Sequence, residues 1–510
     1  LSPNFAIEVR REFLNVLHKT GDSELALKLL HELETVYCIQ ADTDLLIKKG
    51  IFLIASGEVE SGKKILKREV DKLTNQQEKT EILLEIVSAD LNTNNFGDAE
   101  KVLDQLLMME NLTREQRGKV HNLNGLLELY RNNDAEKAFA SFNAALSEFT
   151  VAKLKQRIAR VQVNLGNICS MRGQNKQAEE YWKSSLSINN AIGDLEQEAL
   201  LRMNYGIFLF DTARYELAAE SYQKAKRIFQ TIGKKNGLGL SLLNSAETHL
   251  IICEYSTAID ELLQALDIFR VTENREEEAS ALYLLAKTFA VIGSAKDAKR
   301  YTEQYHKFIS AGGLSEKHFL QLKFIKTLSL YYCSSETFDQ NGEEILSLCN
   351  ALLETDNKHD SVLVSLIYID TCLQKKEYQP AQNFLQNEKY VKLCSANEIY
   401  RAVHLYLLGK VAQRLRFGET SYIDYLNEAY EIIKEQSITE FTRLILSLFC
   451  EIYFERNLFI KVKEFFNLTE SLIVFLSNNI TDDSLRKAYL TQKERSKDLQ
   501  FIRNSVSFVT

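Results

Sequence analysis

The sequence predicts an all-α protein, a right-handed superhelical solenoid of about eleven or twelve antiparallel helix pairs. Three observations support this fold class. Five alanines recur at a gap-free 40-residue step: Ala138, Ala178, Ala218, Ala258 and Ala298. The 510-residue chain contains only two prolines, which interrupt helices, and it lacks the apolar–polar alternation of strands. Because a single helix pair cannot bury its own apolar face, the repeated pairs are expected to stack on one another.

The alanines belong to a fixed pattern of small and large residues. Four positions after each alanine stands a mostly large residue: Phe142, Trp182, Tyr222, Leu262 and Thr302. Twelve positions before each alanine stands a mostly small residue: Leu126, Gly166, Gly206, Ala246 and Ala286. A small residue lets two helix backbones approach where they cross, and a bulky residue fills the space one turn later. The only tryptophan, Trp182, is therefore expected in the core.

This spacing resembles the tetratricopeptide repeat, whose usual pattern is W-x2-L-G-x2-Y followed by A-x3-F. The best matches run from Gly166 to Trp182 and from Gly206 to Tyr222. The usual repeat has about 34 residues. The 40-residue form is similar to the longer repeat of kinesin light chains and of bacterial signalling proteins. The resemblance implies a scaffold that binds protein or peptide segments on its concave face.

The repeats predict three regions. Residues 1–310 form the regular array, residues 311–480 carry divergent helical repeats, and residues 481–510 form a C-terminal capping or linker helix. This last segment resembles the one that follows the repeats in multidomain bacterial signalling proteins. The resemblance implies an alternative function, the ligand-sensing regulatory arm of a larger signal-transduction ATPase or kinase. Other domains of the parent chain would then be further partners, and a start at Leu1 rather than Met fits a fragment.

Composition argues against several function classes. The net charge of −8 comes from interspersed acidic and basic residues, whereas nucleic-acid binding needs clustered Lys and Arg. No apolar run approaches the roughly 18 residues of a membrane span. The eight cysteines are scattered without a C-x2-C pair, which predicts buried thiols in a reducing cytoplasm and no metal site. No catalytic motif is found, so we expect neither enzymatic activity nor a cofactor.

One segment resembles a phosphate-binding loop. Residues 57–64 read G-x4-G-K-K, one residue away from G-x4-G-K-[ST]. Lys64 cannot supply the hydroxyl that ligates Mg²⁺, and Gly62 falls at a repeat position, so we interpret the segment as a turn and a helix. ATP is then not expected to bind, and Lys63→Ala is expected to be silent. His249 falls at a core position and is expected to be a hydrogen-bonded core histidine rather than a metal ligand.

A second periodic set predicts the binding surface. Asn124, Asn164, Asn204 and Asn244 recur at the 40-residue step on the first helix of each repeat, which we expect to line the concave wall. Each amide offers donors and an acceptor to a peptide backbone. The resemblance to kinesin-light-chain repeats implies that these residues clamp a bound peptide. Two alternatives stay open: the asparagines bridge neighbouring repeats, or residues 122–125 align one position over, which removes Asn124 from the set.

The predicted peptide-binding wall also includes apolar and charged neighbours on the same helices. These neighbours are Arg160, Asn167, Met203, Ile207, Phe210, Leu243, Glu247, Tyr283 and Lys287. Such a mixed lining suits a peptide or helix with both apolar and charged side chains. The sequence thus predicts a non-enzymatic scaffold that binds a protein or peptide segment in its concave groove.

Overall fold

The computed structural model describes residues 3–20, 23–36, 42–312, 315–333, 341–355, 357–415 and 421–492. Every regular element within these ranges is an α-helix, so the predicted all-α class is confirmed for the described chain. None of the described helices combines the length and the apolar character that a membrane-spanning segment needs. The chain divides into two compact units, Leu1–Asp194 and Leu195–Thr510, which are described separately. The three regions expected from the repeats, residues 1–310, 311–480 and 481–510, stay a prediction.

The first unit is built from consecutive helix pairs joined by short turns. Its helices are α1 (Pro3–Thr20), α2 (Ser23–Thr35), α3 (Thr43–Ala55), α4 (Val59–Val70), α5 (Gln76–Asn92), α6 (Phe96–Leu107), α7 (Arg114–Tyr130), α8 (Ala135–Val151), α9 (Lys155–Met171) and α10 (Asn175–Ile192). The two helices of each pair pack against each other, and the first helices α1, α3 and α5 each also contact the next first helix along the chain.

The second unit continues the same construction. Its helices are α11 (Leu195–Asp211), α12 (Tyr215–Thr231), α13 (Lys235–Ile251), α14 (Tyr255–Val271), α15 (Arg275–Ile292), α16 (Ala295–Gly312), α17 (Glu316–Cys333), α18 (Gly342–Leu353), α19 (Lys358–Lys375), α20 (Tyr378–Leu385), α21 (Glu388–Ser395), α22 (Glu398–Leu415), α23 (Ser421–Ile433), α24 (Glu440–Glu455), α25 (Phe459–Asn478) and α26 (Asp483–Thr491). The helices α11, α13, α15, α17, α19, α22 and α24 stack in one row, each in contact with the next.

The 40-residue step is visible in the backbone conformation. The turn inside successive repeats contains one residue with positive φ: Gly173, Ala213, Cys253 and Gly293. A second set separates successive repeats: Lys153, Gly193, Gly233 and Glu273. A residue in the left-handed region is a usual end for a helix, and glycine adopts it without a Cβ penalty. Both helices of a repeat therefore end by the same backbone device.

The small and large positions of the repeat meet as predicted. A Cβ added to Gly166 would lie 2.5 Å from Nε1 of Trp182, and one added to Gly206 would lie 2.4 Å from Cε1 of Tyr222. Both rings are buried. Glycine is required at these positions because the aromatic ring lies directly against the backbone of the facing helix.

In the repeat of α7 and α8, the small position is Gly125 rather than Leu126. A Cβ on Gly125 would lie 2.7 Å from Cε1 of Phe142. The turn between α7 and α8, residues 131–134, is one residue longer than the turn between α9 and α10, residues 172–174. The extra residue moves α7 by one position relative to the repeat pattern.

The C-terminal helices of the second unit fold back onto its first repeats. Asn397 Nδ2 donates a hydrogen bond to the carbonyl of Asp211 at 3.3 Å, and Tyr255 donates to Glu440 at 2.9 Å. α15 lies at the centre of this arrangement, since every residue from 281 to 292 is buried. A helix that is buried on all sides is packed against other helices on every face, including the face expected to line the groove. The inner wall, expected as an open groove, is therefore partly covered by helices of the same chain.

Candidate functional site

The stacked helices of the second unit line an open pocket of about 620 Å³. Helices α11, α13 and α15 supply part of its wall, and α17, the end of α18 with the residues that follow it, the start of α19 and α22 supply the rest. Its lining includes Phe210, Leu243, Glu247, Tyr283, Leu320, Lys358, His359 and Tyr400. Ligand pockets typically measure ~300–1,000 Å³ and combine an apolar lining with a few polar groups. The volume therefore suits a short segment of chain.

Aromatic and aliphatic side chains give the pocket a firm wall. Leu243 and Tyr283 are buried, and Phe210 is partly buried. Phe210 packs edge-on against Tyr215 with ring centroids 5.4 Å apart, and the rings of Tyr283 and Phe324 are 6.4 Å apart. Phe210 and Tyr283 thus each pack against a second ring, which helps to keep the apolar surface in place.

Behind this wall, Asp360 is a fully buried acceptor that three side chains share. Lys287 Nζ donates to Oδ1 of Asp360 at 2.5 Å, and Tyr283 and Asn357 donate to Oδ2. Lys287 and Asp360 are both inaccessible to solvent, so each charge depends on the other. Burial raises the pKa of Tyr283 well above its usual value, and the Asp360 carboxylate raises it further. The network joins α15 to α19 and fixes the Tyr283 side chain in the pocket wall.

Glu247 supplies a carboxylate to the pocket. It forms no hydrogen bond or ion pair with the residues that the structure describes. Burial raises the pKa of Glu247; the charge of Lys287 opposes this shift, and the charges of Asp360 and Asp211 add to it. Glu247 is thus a partly buried acid without a cation of its own in the described chain.

The other charged residues of the lining have partners. The pairs are Asp211 with Lys358 at 3.3 Å, Lys317 with Glu276 at 2.8 Å, and Glu354 with Lys389. The pair of Asp211 and Lys358 connects the end of α11 to the start of α19. These pairs are partly exposed, and they neutralise the charged groups around Glu247.

His359 lies between the pocket and a small cavity of about 30 Å³, and it lines both. The side chain is 8% exposed, and its buried Nδ1 makes no hydrogen bond within the described residues. Burial lowers the pKa of His359 well below its usual value, and nearby Lys287 lowers it further. The imidazole is therefore neutral at neutral pH. A cavity of this size can hold about one water molecule.

Four residues of the predicted wall line this pocket: Phe210, Leu243, Glu247 and Tyr283. Other members of the set on α11 and α13 lie elsewhere. Met203 is buried, with its sulfur 3.2 Å from Oγ of Ser241. Asn204 and Ile207 are exposed, and Asn244 is partly buried. That these residues bind a peptide stays a prediction.

Lys287 requires a correction. It was predicted from the sequence to lie on the concave wall that binds a peptide. The structure gives it an accessibility of 0% and pairs it with Asp360 on α19. The repeat of α15 is covered by the C-terminal helices, so equivalent repeat positions have different surroundings.

The first unit holds the remaining predicted residues, Asn124, Arg160, Asn164 and Asn167. Asn164 Nδ2 donates to Oδ1 of Asn122 at 3.1 Å, which joins α9 to α7. Asn124 Nδ2 donates to Oγ of Ser141 on the paired helix at 3.0 Å. Arg160 is exposed and Asn167 is partly buried. The contact of Asn164 matches the alternative in which asparagines bridge repeats, and the shifted α7 removes Asn124 from the periodic set.

The divergent half of the chain supplies lining residues that the sequence analysis did not single out. They are Lys317, Leu320, Lys358, His359 and Tyr400. Their repeats are too degenerate for the 40-residue step to place them. One signal was present: residues 361–373 contain a single charged residue, Asp370. Such a helical stretch is expected to be buried on all sides, which identifies α19 as an internal helix.

The interpretation of residues 57–64 as a turn and a helix is confirmed. Gly57 forms the turn with φ +96°, and Gly62 lies within α4 against the backbone of α3. The expectation that Lys63→Ala is silent requires correction. Lys63 is 4% exposed, and its Nζ lies 2.5 Å from Oδ1 of Asp90, which is fully buried. The lysine is part of the core of the first unit.

His249 is hydrogen-bonded, as predicted: its Nδ1 lies 2.9 Å from Oε2 of Glu261. No cluster of three or more His, Cys, Asp or Glu side chains suited to a metal ion occurs within the described ranges. The cysteines in those ranges are free thiols, and most are buried.

No protein-family model matches the chain, and no curated protein matches its sequence. Among solved structures, the apo form of RapI resembles it with a TM-score of 0.55 and 16% identity, over 73% of this chain and 98% of RapI. A Rap protein complexed with Competence and Sporulation Factor gives a TM-score of 0.47 and 14% identity, over 80% and 99% of the two chains. Aspartyl phosphate phosphatase F from Bacillus subtilis gives 0.48 and 16%, over 70% and 95%.

The likeness to RapI extends over most of the chain and concerns the fold alone. It defines the class of the protein, a tetratricopeptide-like array of helix pairs. The predicted class of helix-pair solenoid is thereby confirmed. The kinesin-light-chain type of the 40-residue repeat stays a prediction.

Proposed function

We propose that this chain is a non-enzymatic helical-repeat protein that binds a peptide or protein segment in the pocket of its second unit. The observation that carries the proposal is the convergence of Phe210, Leu243, Glu247 and Tyr283 on one pocket of about 620 Å³. These residues come from α11, α13 and α15, which are three successive first helices. Helical repeats use the concave surface formed by such helices to bind ligands. The pocket is shorter than the open groove expected from the sequence, which favours a short segment as the occupant.

Binding can be tested with pools of N-acetylated, C-amidated pentapeptides, measured by fluorescence polarisation. Ser280 lies at the pocket, and Ser280→Trp would fill it without removing a core side chain. Saturable binding by the wild type should be lost in this variant at an unchanged melting temperature. Thr231→Trp adds the same ring at an exposed position of α12 and should bind normally. If none of the pools shows saturable binding to the wild type, the proposal is contradicted.

The non-enzymatic assignment rests on the absence of a recognisable catalytic motif in the sequence. One structural neighbour carries the name of a phosphatase, so acyl-phosphate hydrolysis is the relevant control reaction. We expect neither acetyl phosphate nor ATP to be turned over. The free thiols support a reducing compartment, and we propose that the protein is cytoplasmic.

A second candidate function is a ligand-sensing regulatory arm of a larger signalling ATPase or kinase, in which the occupant can also be another domain of the parent chain. One observation favours it: the pocket is lined by Phe210 and by Tyr400, which are 190 residues apart. An occupant therefore contacts helices from both parts of the second unit and stabilises the arrangement in which they are close. Hydrogen exchange in α24 and α26 should slow when a peptide binds, and unchanged exchange would argue against this function.

A further inference from the structure

The charges around the pocket are matched, with the exception of Glu247. Each lysine in the pocket lining already has a carboxylate partner, and so does the buried Lys287. Glu247 has no such partner among the described residues. Glu247 is partly buried, and a carboxylate that loses part of its contact with water without gaining a cation is unfavourable. A ligand that brings a cation to this position would remove that penalty.

The neighbouring rings favour the same kind of ligand. Phe210, Tyr283 and Tyr400 line the pocket together with Glu247. Aromatic faces attract cations within about 6 Å of the ring centroid, and a carboxylate adds directional hydrogen bonds from a guanidinium or ammonium group. An anionic group would instead meet the charges of Glu247 and Asp211.

We propose that the pocket selects a segment with one cationic side chain, a guanidinium or an ammonium group, which pairs with Glu247. This inference rests on the proposed peptide-binding function and adds the chemistry that the pocket recognises. The apolar part of the segment would contact Leu243 and Leu320, and its cationic group would lie between Glu247 and the rings. Glu247 is then the residue that determines specificity.

The test uses pentapeptide pools with one position fixed as Arg, Lys, citrulline, norleucine or Glu. Citrulline is the matched control because it keeps the shape of arginine without the charge. A charge-assisted hydrogen bond contributes enough to give a preference of about tenfold or more for Arg or Lys over the neutral residues. In Glu247→Gln this preference should disappear. Glu220→Gln, at an exposed position of α12, should retain it.

A charge reversal makes the test independent of small changes in stability. Glu247→Lys should prefer pools with Glu, and its circular dichroism should match that of the wild type. Peptides that bind without a cationic preference, or a preference that persists in Glu247→Gln, would overturn this inference and leave the proposed function intact. If no pool binds the wild type, the proposed function fails and the inference fails with it.

Discussion

The phenol of Tyr255 donates a hydrogen bond to the Glu440 carboxylate at 2.9 Å, across 185 residues of sequence. Tyr489 donates to the same oxygen at 2.8 Å, and the two tyrosine rings lie 5.8 Å apart. Both tyrosines are fully buried. One carboxylate therefore joins α14, α24 and α26 where the C-terminal helices meet the first repeats of the second unit.

Tyr255→Phe keeps the ring and removes one donor to this carboxylate. A hydrogen bond to a charged group contributes about 1.5–3 kcal/mol, so we expect a loss of that size in the free energy of unfolding. Urea denaturation of the whole chain measures it. Tyr130→Phe, on a side chain that is 63% exposed, is the control and should be neutral. Equal effects of the two substitutions would show that the contact with Glu440 does not stabilise the fold.

Two glycine substitutions in the first unit should have opposite effects. Gly166→Ala places a methyl group 2.5 Å from the Trp182 ring, and such overpacking costs about 1–3 kcal/mol. Gly97→Ala adds the same methyl group in α6, where no atom beyond the backbone of its own helix lies within 4 Å. There the lower backbone entropy of the unfolded chain should give a gain of up to about 1 kcal/mol. Thermal unfolding of both variants checks the pair, and a neutral Gly166→Ala would refute the packing scheme.

The repeated part of the fold was predictable because the two residues that pack together in a helix pair are close in sequence. Gly206 and Tyr222 lie 16 residues apart and meet in the structure, and the same spacing recurs at Gly166 and Trp182. Such contacts depend only on the length of one turn and the phase of two helices. The exception at Gly125 confirms this, since a single extra turn residue shifts the pattern.

The C-terminal fold-back and most of the pocket could not be predicted from periodicity. Tyr255 and Glu440 belong to repeats of different regularity, so no fixed spacing connects them. The pairing of Lys287 with Asp360 likewise depends on the contact between α15 and α19, which are separated in sequence by three other helices. The apolar character of residues 281–292, interrupted only by Lys287 and Thr288, was a signal that this helix is buried on all sides. This signal predicts that the helix is buried, but it does not predict which helix packs against it.

Lys63→Ala should destabilise the first unit because it removes the partner of a buried carboxylate. Asp90 is fully buried, and breaking a buried ion pair from one side costs about 3–5 kcal/mol. The double variant Lys63→Met with Asp90→Leu should recover much of this loss, since neither charge then remains. Urea unfolding of the three proteins measures the coupling. ATP binding is expected in none of them, and ATP affinity that disappears in Lys63→Ala would overturn the interpretation of residues 57–64.

Glu261 should make the second unit sensitive to acid. It accepts hydrogen bonds from Lys226 at 2.8 Å and pairs with His249 at 2.9 Å. Burial raises the pKa of Glu261, but the bonds from His249 and Lys226 outweigh burial and bring it below the usual 4.5. A depressed folded pKa means that the stabilisation is complete above the unfolded value and is lost as pH falls through the folded value. Unfolding at pH 3 to 7 should show this loss in the wild type and a smaller one in Glu261→Gln.

Asn204 and Asn244 provide the test of whether bound segments extend beyond the pocket. Asn204 is exposed and Asn244 is partly buried on the neighbouring helices α11 and α13. Packed helices are about 8–10 Å apart, and an extended peptide advances ~3.3 Å per residue, so the two amides could meet about every third residue. Each hydrogen bond contributes about 0.5–1.5 kcal/mol.

The double variant Asn204→Ala with Asn244→Ala should therefore weaken a peptide identified by the pools at least about tenfold, with no change in melting temperature. Asn164→Ala is the matched control because its amide already bonds Asn122 within the first unit. That variant should lower stability slightly and leave binding unchanged. Unchanged binding by the double variant would confine the ligand to the pocket around Glu247. A lower melting temperature with intact binding would show that Asn204 and Asn244 have a structural role. They would then resemble Asn164, whose amide bonds Asn122 in the first unit.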